Sequence, residues 1–523
     1  VPANGILVFN CLGYTGIEAE VGGQRIVNVA LQPETQKLDD VIVVAFGTST
    51  KESFTGSAAT VKSEDISRVQ SSNATRSIEG MVAGVQMTTS SGTLGRSPAI
   101  RIRGISSISA ENAPLYVIDG IPYSGDMNNI NPSDIESITV LKDAASNSLY
   151  GSRGANGVIM ITTKRAKAGE AVVNVDAKWG LNTKALQAYD YITDPGQYYE
   201  TYYSALYNYN RLVDGLDKAA AHLKAATTIV GPVKGGGLGY DVFTYPDGEL
   251  LIGSNGKINP KASVGRFVDY KGKKYWLQPD NWMEHAYKQS FRQEYNVNVS
   301  GTTGKAQIYA SFGYLNDNGI IQAANMQRYT SRIKADYQAK SWLKVGANAA
   351  YTNFNFNNGN KDEGSAGSVA NVFGAAAGIA PIYPLFLRDE KKNIIYDIHG
   401  NRRYDYGDGS NGGFVRSIFA NSNALQEVSL NVNNSEGNAI NATGYVEVRF
   451  FKDLKFSFNV GTGLDETRGT EMVNMWYGQF AVNGGVIEKS HSRNQYINLQ
   501  QILDYNKTIA GKHHVSLMLG HEN

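Results

Sequence analysis

INPSDIESITVLKDAASNSLYGSRGANGVIMITTK, residues 130–164, sets apolar runs on either side of a polar, glycine-punctuated middle. Val158-Ile159-Met160-Ile161 reads as a β run, as does Leu115-Tyr116-Val117-Ile118 upstream, and short helical signals lie between such runs. Strand and helix alternating in this way predict a compact α/β or α+β unit from residue 38 to about 165. Gly120, Gly151, Gly154 and Gly157 fall where the chain must reverse in little space.

Downstream of about Ala168 the period changes to two. Val173, Val175, Ala177 and Trp179 alternate with Asn174, Asp176 and Lys178, and Tyr295, Val297 and Val299 alternate with Asn296, Asn298 and Ser300. The same rule holds for 306–314, 333–337, 343–351, 446–450, 456–460, 499–505 and 515–519. That makes about nine strands, several close to the ~10 residues that a tilted membrane strand needs. Some are joined by short polar turns, such as 301–304 and 338–341, and others by the long segments 183–288 and 358–440. Short turns at one end and long loops at the other are the asymmetry of an outer-membrane barrel. A water-facing sandwich or solenoid also alternates with period two, but loops of this length are awkward in a compact domain.

No stretch reads as a helical span. The nearest, Ser368–Leu387, carries Asn371, Pro381 and Pro384, and predicts a short small-residue helix followed by an extended segment inside a loop. A membrane location therefore requires a closed barrel, because lipid leaves no backbone group free to stay unpaired. Upstream, Ile6–Phe9 and Gln24–Leu31 around Gly22-Gly23 predict the tail of a small β-sandwich, and the polar residues 32–37 a linker.

Composition excludes several classes. Lys+Arg number 49 and Asp+Glu 48, so nothing implies an acidic partner such as nucleic acid. One cysteine, Cys11, excludes an internal disulfide framework and a cysteine zinc cluster. There is no G-x-x-x-x-G-K-[ST] phosphate loop. His513 and His514 would point to opposite faces of a strand, and residues 405–413, DYGDGSNGG, read as a polar turn ahead of a Ca²⁺ loop. Asp119 has no nucleophile or base at recognisable spacing and reads as a turn residue. The aromatic stretch with Tyr275, Trp276, Trp282 and Tyr287 admits stacking on sugar rings, an interfacial belt or packing within the loop, with packing favoured.

LDDVIVVAFGT (38–48), IRIRGISSI (100–108), PLYVIDGIP (114–122) and the stretch 130–164 together resemble the plug of the SusC-like (SusC/RagA) TonB-dependent outer-membrane transporters. The 134–164 block resembles the general TonB-dependent plug signature, whereas PLYVIDGIP and the LKDA form are particular to the SusC branch. The resemblance implies a large, plugged, antiparallel membrane β-barrel with an N-terminal α/β plug. On it, residues 1–34 are the C-terminal part of a carboxypeptidase-regulatory-like sandwich, 35–48 a linker and TonB box, 49–165 the plug, and 166–523 the N-terminal part of the barrel. The chain is then expected to be a fragment lacking the C-terminal part of that barrel, with any signal peptide outside it.

Asp40, Val41, Ile42, Val43 and Val44 resemble the TonB box, and a β-branched run after a linker suits capture as an added strand. An ordinary first plug strand is the other reading of these residues, and the two are compatible. Arg101, Arg103, Glu136, Lys142 and Arg153 are expected to make polar contacts from plug to barrel; plain solvated charges are the alternative for each. Trp276 and Trp282 are the candidate substrate residues. The implied partners are the inner-membrane TonB–ExbB–ExbD complex, a SusD-like surface lipoprotein, outer-membrane lipid, and an oligosaccharide or peptide substrate, in a bacterium of Bacteroidetes type. The expected activity is active import without covalent chemistry, cofactor or metal. The alternative is a siderophore or cobalamin receptor, which shares the general plug signature.

Overall fold

The computed structural model describes residues 57–89, 97–109, 111–143, 147–166, 171–185, 190–359, 371–510 and 513–523, with 6–9, 17–20, 29, 41–44, 47–50, 94–95 and 169. Near the N-terminus, Ile6–Phe9 pairs antiparallel with Ile17–Glu20, and Val41–Val44 with Gly47–Thr50. Asp40 and the polar segment 32–37 lie outside the described residues.

The plug is built on a mixed sheet of β1 (Ala58–Lys62), β2 (Leu115–Ile118), β3 (Ile121–Tyr123), β4 (Ile135–Leu141) and β5 (Val158–Thr163) in the order β1-β4-β5-β2-β3. Only β5 and β2 run parallel; the other neighbours are antiparallel. Strands β4 and β5 are nearly continuous apolar sequence because both of their faces are covered, as central strands of such sheets must be. Ile138, Val140, Ile159 and Ile161 join Val61, Ile66 of helix α1 (Ser63–Arg68) and Ile100 in one core. Asp119 and Gly120 form the two-residue turn between β2 and β3, both with positive φ (48° and 88°), the geometry that favours Asp-Gly at a hairpin.

Nine further strands form one antiparallel sheet in strict chain order: β6 (Val172–Asn182), β7 (Ser290–Thr302), β8 (Ala306–Asn318), β9 (Asn325–Lys340), β10 (Leu343–Asn357), β11 (Val432–Phe451), β12 (Leu454–Val473), β13 (Val486–Ile509) and β14 (His513–Glu522). Every run with period two in the sequence lies in one of them. They extend further than those runs: β11 and β12 have 20 residues each and β13 has 24, about twice what a membrane crossing needs, and β11 begins at Val432, ahead of residue 440.

Burial across this sheet is inverted relative to a water-soluble protein. Val175, Trp179, Val297, Phe312, Ile333 and Leu517 are exposed, while Arg292, Glu294, Arg328, Arg332, Asp336 and Gln500 are buried. Paired residues keep these faces separate from strand to strand, for example Val297 opposite Phe312 and Thr330 opposite Thr352. An apolar outer face with a polar inner one fits a wall between lipid and lumen. No helix among the described residues is long and apolar enough to cross a membrane. Ile333 sits on the outer face midway between Tyr329 and Tyr337. Ile333→Lys is expected to destabilise the folded receptor by about 2–4 kcal/mol, read as a lower denaturant midpoint in lipid vesicles, since it puts an ammonium at mid-bilayer depth.

The two long connections are not structureless. The first carries helices α2 (Pro195–Leu212), α3 (Lys218–Ile229) and α4 (Trp282–Ala286), and the second carries α5 (Val372–Gly378) and α6 (Ala424–Leu430). Tyr199, Tyr203, Ile229, Tyr240 and Phe243 from the first pack with Ile382 and Tyr383 from the second. Trp282 and Ala286 share another core with Val372, Leu385 and Leu425. Helix α5 is the short helix expected within 368–387, and Pro381 and Pro384 follow it outside any helix.

Candidate functional site: the plug against the barrel wall

Strand parity aims a row of polar side chains at the plug. On β9, Arg328, Thr330, Arg332 and Lys334 share the inner face, and Asn348 and Thr352 share that of β10. The plug answers with its turns. The Asp119 carboxylate, raised from the sheet by its left-handed backbone, accepts from the backbone N of Thr163 at 2.9 Å and from its hydroxyl at 2.5 Å. From the wall it accepts Lys334 Nζ at 2.9 Å, Asn348 Nδ2 at 3.2 Å and Arg332 Nη2 at 3.3 Å. Lys334 also reaches Thr163 Oγ1 at 3.0 Å. Burial pushes the Asp119 carboxyl up, but Lys334, Arg332 and the Thr163 hydrogen bonds outweigh burial, so it lies below its ordinary value of 3.8.

A second set of contacts runs through residues 128–134. Arg328, only 3% exposed, donates from Nη1 to the carbonyls of Asn128 (2.6 Å) and Ser72 (2.7 Å). Asn131 Nδ2 bridges Asn296 Oδ1 at 2.8 Å and Thr330 Oγ1 at 3.0 Å. The Thr352 hydroxyl donates to the Asn129 carbonyl at 2.7 Å, Asn129 Nδ2 donates to Asp465 at 2.9 Å, and the Tyr309 hydroxyl donates to Asp134 at 2.9 Å. Wall glycines make this approach possible: a Cβ on Gly313 would stand 2.3 Å from Asn131 Nδ2, and one on Gly461 2.5 Å from Ile121 Cγ2. The contact is thus mainly hydrogen bonds and ion pairs, which can exchange for water when broken.

Of the charges singled out in the sequence, Arg153 meets the wall, pairing with Glu522 of β14, whose carboxylate also takes Asn498 Nδ2 at 2.9 Å. Lys142 turns back into the plug and donates to the Ala83 carbonyl at 3.0 Å. Arg101 sits in a short strand opposite Gln86, and Arg103 is exposed at φ 60°. Glu136 lines a polar cleft of about 560 Å³ between the plug and β6 and β7, with Lys164, Arg165 and Asp176. Of the residues that hold the plug most closely, Asp119 was read from sequence only as a turn former, and Asn129 and Asn131 were not singled out; an Asp or Asn whose backbone makes a turn still has a side chain to offer.

Val41–Val44 stands upstream of the plug in its two-stranded hairpin. Trp282 is buried and donates its indole N–H to the Tyr383 carbonyl at 3.0 Å, so it packs the loop core. Trp276 packs against Phe267 at 4.6 Å between centroids with the rings tilted by 54°, and Lys392 Nζ lies 4.0 Å above its ring. In the 405–413 turn, the Asp405 carboxylate takes the Tyr240 hydroxyl, Asn411 Nδ2 at 2.7 Å and the Gly407 N–H at 2.6 Å, which occupies the oxygens a cation would need. No group of three His, Cys, Asp or Glu side chains converges among the described residues.

A mixed α/β plug lodged by polar contacts on the inner face of an antiparallel wall, itself apolar outside, defines a plugged outer-membrane β-barrel receptor. Residues 50–158 match the TonB-dependent receptor plug domain. The chain is 29% identical over 528 residues to TonB-dependent receptor P39 of Formosa agariphila, covering 99% of this chain and 42% of that protein. It is 28% identical over 522 residues to TonB-dependent receptor SusC of Bacteroides thetaiotaomicron, covering 95% of this chain and 44% of that protein. Among solved structures, the RagAB peptide importer in its open-open state superposes with a TM-score of 0.65 at 24% identity, over 92% of this chain and 48% of that one. The chain is thus similar over nearly its whole length to SusC-like TonB-dependent receptors of Bacteroidetes, and its plug region matches the TonB-dependent plug family. It spans less than half the length of the curated relatives it matches.

Proposed function

We propose that this chain is the plug and the first nine wall strands of a TonB-dependent importer. The intact receptor would carry a large nutrient across the outer membrane with a SusD-like lipoprotein as its extracellular lid. On this reading, residues 1–34 are the end of a sandwich extension, 35–48 the linker and TonB box, 49–165 the plug and 166–523 barrel wall with its loops. The carrying observation is that the plug is seated through exchangeable polar contacts, centred on Asp119, and not through a continuous apolar core. A seat of that kind can be broken by a pull and made again. The pull would act on Asp40–Val44, where Val41–Val44 pairs on one edge only among the described residues, with Gly47–Thr50, a shape suited to strand addition by TonB. Arg101, Arg103, Glu136, Lys142 and Arg153 would tune the seat from its periphery. No covalent step is involved.

A glycan oligosaccharide is the favoured cargo, as the resemblance of the plug motifs to the SusC-like family implies, and a peptide is second. Growth of a deletion strain on a panel of polysaccharides and peptides tests this. Loss of growth on one glycan class, with normal growth under iron or cobalamin restriction, is the expected result. Failure only under those restrictions would transfer the reading to a siderophore or cobalamin receptor.

A further inference from the structure

The outer face of the wall changes chemistry abruptly on its extracellular side. Trp179, Tyr295, Tyr314 and Tyr329 form a ring-to-ring belt across β6–β9, with centroid separations of 5.9, 6.3 and 4.9 Å, and Tyr351 continues it on β10. Such belts mark the level where acyl chains give way to headgroups. Beyond the belt, the outward positions of β8–β11 turn almost entirely to side-chain amides: Asn316 on β8, Gln327 on β9, Asn353 and Asn355 on β10, Asn434 and Asn438 on β11. Glu436 is the one charge among the outward positions of this arc, whereas Glu466, Arg468 and His491 take the same level on β12 and β13.

The amides are held in a ladder. Asn434 donates to Asn355 at 2.7 Å and to Asn357 at 2.9 Å, Asn357 to Asn325 at 2.8 Å, and Asn353 to Asn438 at 3.0 Å; the Tyr351 hydroxyl joins the belt to the ladder at 2.7 Å. A primary amide has two donor hydrogens and two acceptor lone pairs; Asn353 and Asn434 spend their donors on the ladder and on the Gly437 and Phe356 carbonyls, so these two rungs keep acceptor capacity. At its upper end is a groove of about 380 Å³ lined by Asn318, Asn325, Asn357, Asn358, Asn431 and Asn433, with Lys288 the single charged side chain among its described lining residues. Asn358 Oδ1 and Asn316 Oδ1 are buried and have no hydrogen-bond partner among the described residues.

We propose that this collar and groove bind the saccharide part of an outer-leaflet glycolipid. Neutral hydroxyls that both donate and accept match a field of fixed amides. Phosphate groups would call for Lys and Arg clusters, which the described residues of this arc do not form. Continuity with the lipid-facing band argues for a lipid-borne sugar over the transported one. The inference uses the membrane placement alone and is independent of what the receptor imports.

The test uses the full-length receptor in detergent, titrated with lipopolysaccharide carrying an intact core oligosaccharide and, separately, with lipid A stripped of that core. Bound lipid is counted by native mass spectrometry, and the thermal midpoint is followed. The expected result is retention of intact lipopolysaccharide at least tenfold stronger than in the Asn325→Leu/Asn355→Leu/Asn434→Leu variant, with lipid A bound equally weakly by both. Free core oligosaccharide should compete on the wild-type protein, which keeps the test open if the variant fails to fold. Equal retention of lipid A and intact lipopolysaccharide would overturn the proposal. So would a variant that binds lipid normally but loses nutrient uptake or self-association, since the collar would then serve cargo or a second receptor.

Discussion

Deleting Asp40–Val44 is expected to abolish uptake of the cognate nutrient while its capture at the cell surface stays at the wild-type level. The run is short, β-branched and upstream of every residue that holds the plug, so its removal leaves the Asp119 and Asn131 contacts in place. On the proposed reading, what is lost is the backbone edge that an inner-membrane partner would pair with, and the energy source would go with it. A binding assay with labelled nutrient on whole cells, beside an accumulation assay, separates the two outcomes. Normal accumulation in the deletion strain would show that these residues are an ordinary plug strand. Replacing the run by threonines of similar strand propensity is the milder companion and should restore partial uptake, because pairing through the backbone survives.

The sheet was legible in the sequence where lipid imposes alternation and illegible where it does not. Strand β13 shows period two at 499–505, but from Val486 to Gln495 both of its faces are exposed and the pattern dissolves into Glu, Lys, Ser and Arg. Strand β10 likewise fades beyond Tyr351, because its outward positions become Asn353, Asn355 and Asn357. Packing within the loop was legible in the Trp282 stretch, but the core around Tyr199 and Tyr383 escaped notice because it is built from tyrosines whose hydroxyls find carbonyls, such as Tyr199 on Tyr240 at 2.6 Å and Tyr383 on Leu238 at 3.0 Å. Tyrosine on that scale reads as neutral surface until its partner is known. At the plug, attention to formal charge led to Arg101 and Lys142, whereas the wall is met largely by amides and backbone carbonyls at turns.

Asp119→Ala is expected to loosen the plug by about 3–5 kcal/mol, because it strands Lys334 and Arg332 in a buried site without their counter-charge. Protease nicking within 57–165 at denaturant concentrations that spare the barrel is the direct readout. Asp119→Asn should fall between the two, retaining a hydrogen-bond acceptor but not the charge. A cycle with Lys334→Met should give a double variant far less damaged than the sum of the single ones, since the uncompensated cation is removed along with its partner. Independent, additive losses would mean that the contact does not act as a unit. The pH response has a definite sign. The folded carboxyl lies below 3.8, so its contribution is fully present above that value and is lost as pH falls through the lowered one. Plug retention should therefore be flat from pH 5 to 8 in the wild type and weaken only in stronger acid.

The shared cores of the two long connections bear on how such a receptor could change its diet. Tyr199 and Phe243 belong to one insertion, Ile382 and Tyr383 to the other, and all four are buried in one shared core. Exchange of a single insertion between related genes would strip Ala380, Ile382 and Tyr383 from the residues they cover, or the reverse, and open the shared core. Viable recombinants should therefore inherit both insertions together, and new preferences in this lineage should arise by swapping the paired block or by point changes on its surface.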